Sequence, residues 1–171
     1  LAGAVGVEGD SVRVGTPGVG GGVGAKFLVD PGELAVRAVA KLLGRPVKWV
    51  EDRREHFLTA IQERDQYWTI EVAVDADARL LGVRGEIVHD QGAFAPHAIT
   101  VPYNSASSVV GPYHLPAYDM TVLLARTNKP AISTVRGAGY RQGTFAIERL
   151  LDRVADSLGL DRAEVRRRNL I

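Results

Sequence analysis

Two glycine-rich stretches hold the residues of this chain best able to bring backbone against a ligand: Gly15 to Gly24, inside GTPGVGGGVGAK, and Gly137 to Gly143, inside RGAGYRQG. A residue without Cβ lets another group come within contact of the main chain, which is why glycine marks ligand loops and tight backbone crossings alike. In the first stretch Gly20, Gly21, Gly22 and Gly24 expose amide groups with no side chains in the way, a surface suited to an anionic or planar ligand. A hairpin or a tight crossing would use the same residues. The phosphate-loop pattern requires Gly-Lys-Ser/Thr, whereas Lys26 follows Ala25 and precedes Phe27. The dinucleotide fingerprint could be read in Gly20, Gly22 and Ala25 only if a helix began at once, and FLVDPG intervenes. In the second stretch Arg136 stands directly before Gly137, Ala138 and Gly139, and a helix follows whose first amides lack intrahelical partners. Arg136 could add a bidentate donor for an oxyanion, or it could be an ordinary surface arginine on a loop.

The other reactive side chains assemble no recognisable site. His56, His89, His97 and His114 are scattered without metal-ligand spacing, and the absence of Cys excludes disulfides, thiolate metal sites, protein-held iron–sulfur clusters and a thiol nucleophile. No protein-ligated metal site is expected. Glu51, Asp52 and Glu55 beside Arg53 and Arg54 have the spacing of a solvated helix face. Arg166, Arg167 and Arg168 suit the negative end of a helix, and Trp49 and Trp68 sit in apolar runs as core or interface aromatics.

The elements that must position the glycine stretches can be read from periodicity. SVRV, Ser11 to Val14, alternates like a short strand, and the first glycine stretch then forms a loop. ELAVRAVAKLLG has helical spacing, preceded by Asp30, Pro31 and Gly32 and closed by Gly44. VKWV reads as a buried strand and EDRREHFL as a helix or turn capped by Asp52. YWTIEVAVDA and LLGVRGEIVHD alternate with period two and form a hairpin, while Gln91 to Ser108, with Pro96 and Pro102, is expected to be irregular. GPYHLPAY reads as turns, MTVLLART as an apolar strand and TNKPAISTV as an extended segment kept from a central sheet position by Pro130. After the second glycine stretch, TFAIERLLDRVADSLG carries a helical stripe ended by Gly159, and Asp161 caps a last helix, DRAEVRRRNL. The expected fold class is α+β, a mixed, largely antiparallel sheet with packed helices.

Composition narrows the function. A formal charge of +1 from 21 basic and 20 acidic residues gives no global field for nucleic acid or an acidic membrane. No apolar run is long enough to span a bilayer and no basic secretion leader opens the chain, so a soluble, cytoplasmic protein is expected. The 19 glycines in 171 residues are about one and a half times the usual roughly 7%. The chain opens in a strand-like stretch and stops at Ile171 straight after a helix, as a piece of something longer would.

The blocks VRVGTPGVGGGVGAKFLVDPGE, LLGRPVKWVEDRREHF, GPYHLPAY, RTNKP with RGAG, and ERLLDRVADSLGLDRAEVRRRNLI share their order and spacing with one family. Together they resemble the large, molybdenum-cofactor-binding subunit of the xanthine dehydrogenase and aldehyde oxidase family, which includes aerobic carbon monoxide dehydrogenase. The resemblance covers essentially the whole chain, 1–171, as a single region similar to the first molybdenum-cofactor-binding domain, either a fragment or a split subunit. It implies the α+β fold of that molybdopterin-binding domain. The implied activity is hydroxylation of an aldehyde or N-heterocycle with water as oxygen source, and the implied partners are the rest of the large subunit, an iron–sulfur subunit and a flavin subunit carrying FAD. The pterin could be the monophosphate or the cytosine dinucleotide form.

By the same resemblance Gly21, Gly22, Val23 and Gly24 bind the cofactor, with Val23 where Phe is usual, and Arg136, Gly137, Ala138 and Gly139 form the second cofactor loop, Arg136 also serving the reaction by contacting cofactor or orienting substrate. Phe27 replaces a substrate-orienting Glu of the xanthine branch and Asn104 a second substrate-binding Arg, which argues against a purine. Gly137 replaces the copper-binding Cys of carbon monoxide dehydrogenase, and YRQG replaces the usual RPEA or GPQ. The family's general base lies several hundred residues further on, so the chain alone is expected to be inactive. The rival expectation is a non-catalytic α+β interaction module that keeps the fold and has lost the cofactor.

Overall fold

A computed structural model describes residues 2–94, 97 and 99–171, and these divide into two compact units, 1–61 and 62–171. Ala95, Pro96 and Ala98, within the stretch expected to be irregular, lie outside the described residues.

The first unit is helical. A short α1, Ala2–Val5, and a 3-10 turn, Gly9–Ser11, precede the glycine loop, and α2 then runs over Pro31–Leu43. Its start follows from local chemistry: the Asp30 carboxylate accepts from the Gly32 amide at 2.7 Å, and Pro31 occupies the first turn, where its missing N–H costs nothing. Gly44 ends it at φ 61°, the left-handed conformation that glycine adopts freely. α3, Arg53–Thr59, opens with a capping box in which Asp52 and Glu55 each accept from the other's amide at 2.8 Å. Neither SVRV nor VKWV becomes a strand; among the described residues this unit has none, and a lone strand leaves its ladder groups unpaired. Trp49 instead lies over Gly32, where a Cβ would fall 2.4 Å from its ring, so Gly32 is required by packing.

The second unit holds a mixed sheet, β1 Gln66–Val74, β2 Leu80–Asp90 and β3 Tyr118–Ala125, in the order β1-β2-β3. The β1–β2 hairpin is antiparallel, with Gln66 opposite His89 and a register shift at Ala73/Val74. β3 runs parallel to β2, with Val83 opposite Tyr118. Parallel pairing needs a long crossover, and that crossover contains α4, Thr100–Ser108, where an irregular stretch was expected. Pro102 does not prevent the helix because it falls in the first turn, whose amides have no intrahelical partner. What stabilises α4 is burial of Val101, Pro102 and Ser105, which pattern alone does not advertise.

α5, Tyr140–Leu158, buries Gly143, Ile147, Leu150, Leu151, Val154 and Ala155 along one stripe. Ile147, Leu150, Leu151, Val154 and Ala155 pack with Leu80 and Val83 of β2 and the inward side chains Trp68, Ile70 and Val72 of β1 into the core. α6, Arg162–Asn169, closes it with buried Val165 and Asn169. The Asn169 carboxamide accepts from Leu80 N and donates to Ala78 O, both at 2.8 Å, fastening the hairpin turn to the last helix. The mixed α+β class agrees with the sequence expectation, with one antiparallel and one parallel strand pair.

Candidate functional site

The second glycine stretch lies between a buried extended segment and α5. Upstream, Gln62 and Ile132 form a parallel bridge, with Gln62 N donating to Ala131 O at 2.9 Å and Ser133 N to Gln62 O at 3.0 Å. The chain then turns through Arg136–Gly139, with Gly137 at φ 90° and Gly139 at φ 87°, conformations that any side chain would strain. α5 begins four residues earlier than TFAIERLL suggests, at Tyr140, so Gly139 becomes its N-cap. Gly139 is needed for space as well: a Cβ there would fall 2.2 Å from the Val101 carbonyl oxygen and 2.7 Å from the Ser105 amide, both in α4.

The polar groups of this loop divide by type. Its carbonyls are engaged: Arg136 O accepts from the Arg141 guanidinium, Gly137 O from Tyr140 N at 2.8 Å, Ala138 O from Asn104 Nδ2 at 2.9 Å, and Gly139 O from Gly143 N at 3.2 Å. The amides of Arg136, Gly137 and Ala138 have no acceptor among the described residues, and the exposed Arg136 guanidinium has no ion pair or hydrogen bond there. No acidic residue occupies the first turn of α5. The buried Gln142 carboxamide, one turn in, has no partner for either polar atom among the described residues. Such an array of donors at the positive end of a 19-residue helix suits an electron-rich, oxygen- or sulfur-bearing ligand rather than a cation.

Beneath the loop lies Glu63, whose side chain is 1% exposed. Its Oε1 accepts from Val135 N at 3.5 Å, and its Oε2 lies 3.1 Å from Arg64 Nη2 and 3.8 Å from Arg141 Nη1. Burial pushes this carboxyl up, while Arg64, the Val135 amide, Arg141 and the Gly139 amide pull it back in part. Nearby, Gln66 Nε2 lies 3.0 Å from Ser105 Oγ and 3.1 Å from His89 Nδ1, and burial holds the His89 imidazole below its usual range against the pull of Asp90 and Asp65.

The first glycine stretch, in the other unit, folds as two overlapping turns, with Ala25 N donating to Gly22 O at 3.0 Å and Phe27 N to Gly24 O at 2.9 Å. Gly21, Val23 and Gly24 lie at φ 99°, 52° and 108°. A β-branched residue in the left-handed region is strained, and such strain is concentrated where backbone is shaped for a task. A Cβ on Gly21 would meet nothing within 4 Å, so Gly21 is needed for its conformation and not for space within the chain.

Sequence reasoning singled out Arg136 and the stretch from Gly137 to Gly143 but not Glu63. Glu63 gives no signal within QERD, since a buried carboxylate is recognised only once its burial is known. Asn104, at the position the resemblance gives to a substrate-binding Arg, here uses its amide to hold Ala138. Among the described residues no three His, Cys, Asp or Glu side chains cluster to hold a metal ion.

Residues 1–170 match the family described as molybdopterin cofactor-binding domain, and the chain belongs to that family. It is 38% identical over 162 residues to the 6-hydroxypseudooxynicotine dehydrogenase complex subunit gamma of Paenarthrobacter nicotinovorans, covering 94% of this chain and 20% of that one. It is 34% identical over 170 residues to the carbon monoxide dehydrogenase large chain of Hydrogenophaga pseudoflava, covering 97% and 21%. The structure of quinoline 2-oxidoreductase from Pseudomonas putida 86 superposes with a TM-score of 0.82 at 38% identity, over 90% of this chain and 20% of that one. The chain thus spans about a fifth of the length of these relatives.

Proposed function

We propose that residues 1–171 form part of the first molybdenum-cofactor-binding domain of a hydroxylase large subunit, one that oxidises an N-heterocycle or aldehyde with water as the oxygen source. The observation that carries this reading is the Arg136–Gly139 loop, in which the carbonyls are engaged and three consecutive amides and a guanidinium are left as donors. When bound, the molybdenum–pterin group supplies the two-electron oxidation that side chains cannot perform. The chain's own part is to bind and orient it: Gly137 and Ala138 through their amides, Arg136 through its guanidinium, and Gly21, Gly22, Val23 and Gly24 through a loop strained into shape. Arg136 either contacts the cofactor or orients the substrate.

Phe27, 62% exposed, offers an apolar ring where a purine-orienting carboxylate would stand, which supports a substrate without the purine hydrogen-bond pattern. A complex with the rest of the large subunit, an iron–sulfur subunit and an FAD-bearing subunit is supported by relatives named as subunits of larger enzymes. The first unit supports it too, for Leu42, Val50, Phe57 and Leu58 are each more than two-thirds exposed or nearly so. The isolated chain is then inactive. No helix among the described residues is long and apolar enough to cross a membrane, in keeping with assembly in the cytoplasm.

The test is molybdenum and pterin content of the assembled protein with and without Arg136→Ala. Near-stoichiometric cofactor in the wild type, reduced several-fold in Arg136→Ala, is the expected result. Absence of molybdenum and pterin from a demonstrably assembled wild type would overturn the reading, and leave a family fold kept for binding alone.

A further inference from the structure

We infer that Glu63 is the positioning residue of the Arg136–Gly139 loop, its buried carboxylate accepting from the Val135 amide at the loop's entrance while Arg141 ties that carboxylate to the Arg136 carbonyl. Glu63 reaches this place through the Gln62–Ile132 bridge, which sets its strand beside residues 131–135 just before the chain enters the loop. Its contacts lie at the loop's entrance and beside it: Val135 N at 3.5 Å, and Arg141 Nη1 at 3.8 Å, whose guanidinium also donates to Arg136 O; the Gly139 amide at the exit adds a smaller pull on the carboxyl. The neighbouring backbone is bent to allow it, since Arg64 stands at φ 86°, a conformation costly for a residue with a Cβ.

The electrostatics separate positioning from plain structural support. A carboxylate that is 1% exposed has lost its hydration, and Oε2 has no hydrogen bond among the described residues to replace it. The charged groups facing it are Arg64 from its own segment and Arg141 from α5; residues 131–135 and α4 contribute none. Burial still outweighs their attraction and raises the carboxyl above its ordinary value. The ionised group is therefore a cost to the fold, and a neutral amide of the same shape relieves it. If Glu63 only filled space, Glu63→Gln would be harmless everywhere; if it were a stabilising ion pair, the substitution would weaken the whole fold. A positioning carboxylate gives a third pattern, in which the fold is as stable or more so and the loop is looser, because an amide offers one weak acceptor where the carboxylate offers two charged ones.

The functional half of the inference rests on the loop's being the cofactor site, so the experiment reads loop and cofactor separately. Hydrogen exchange of the peptide spanning 135–140, the unfolding midpoint and the pterin content are measured in the assembled protein for wild type, Glu63→Gln and Glu63→Asp. Glu63→Gln is expected to raise exchange of the Val135 amide about tenfold, leave the midpoint unchanged or higher, and lower pterin content several-fold. Glu63→Asp keeps the charge on a shorter arm and falls between the two. In the wild type, exchange corrected for its intrinsic rate rises as the pH falls through the titration of Glu63, and in Glu63→Gln that dependence is absent. Unchanged exchange in Glu63→Gln, or exchange and midpoint that worsen together, overturns the inference. A wild type that holds no pterin defeats the proposed function, and the exchange and midpoint measurements then decide the role of Glu63 alone.

Discussion

Replacing Gly143 by alanine tests the packing that holds the loop. Gly143 lies inside α5, where alanine ordinarily gains about 1 kcal/mol over glycine by restricting the unfolded chain. Here the added Cβ would fall 2.1 Å from Ser108 Oγ, 2.5 Å from the Ser105 carbonyl oxygen and 3.1 Å from the Ser108 carbonyl carbon. The hydroxyl can rotate away; the carbonyl cannot. To reach an ordinary contact of 3.4 Å, the Ser105 backbone would have to retreat by about 0.9 Å. Ser105 is fully buried, and its hydroxyl donates to Val101 O at 2.9 Å and accepts from Gln66 Nε2 at 3.0 Å. α4 therefore moves as a unit or α5 bends, at an overpacking cost of about 1–3 kcal/mol that outweighs the propensity gain. A net loss of about 1–2 kcal/mol is expected in urea unfolding followed by tryptophan fluorescence. The neighbouring exposed Thr144→Ala serves as control and stays within about 0.5 kcal/mol of wild type. Asn104 rides on α4 and holds Ala138, so pterin content should fall with Gly143→Ala. A Gly143→Ala protein stabilised by the full propensity gain would refute the close crossing of α4 and α5.

Val23→Gly relieves a β-branched residue at φ 52° and should raise stability by about 0.5–1 kcal/mol after the entropic cost of glycine is deducted; a lower unfolding midpoint would show that the strain is not there. His89, 1% exposed and held below its usual range by burial, should make the fold less stable as pH falls below 6.5, because the unfolded chain takes up a proton that the native state resists. The slope is at most about 1.4 kcal/mol per pH unit for one group, lost once the depressed native value is passed, and His89→Gln should flatten it. An unchanged pH profile in that variant would assign the dependence to other groups.

Elements with local signals were legible in the sequence. The Asp52 cap, the alternation in β1 and β2 and the apolar stripe of α5 depend on residues within a few positions of one another, and each forms as its neighbours direct. α4 was not legible, because TVPYNSASS has neither an apolar stripe nor a capping side chain, and its stability comes from glycine-permitted contact with α5 some 35 positions away. SVRV and VKWV failed for the complementary reason: a strand pattern needs a partner strand, and none among the described residues of that unit supplies it. The loop itself was visible through its glycines and arginine. Its supports were not, since Glu63 and Asn104 reach it from 73 and 32 positions before Arg136, and single polar residues in unremarkable surroundings carry no mark of what they will touch.

That arrangement of distant supports also explains why the loop is a surface of donors. A loop of glycines by itself offers carbonyls and amides in equal number, and could turn either toward a ligand. From Arg136 to Gly139 four carbonyls are occupied, by Arg141, Tyr140, Asn104 and Gly143 in turn, Glu63 engages the Val135 amide, and the Gly139 amide pulls on the same carboxyl. Three amides remain, beside a guanidinium and the positive end of α5. The donor character of the loop is thus set less by the four loop residues than by what consumes their carbonyls. It follows that Asn104, whose side chain touches Ala138 O and no ligand-facing group of the loop, governs the loop's polarity as directly as Arg136 does, and that a change there alters which ligand the backbone can accept without altering the glycine motif at all.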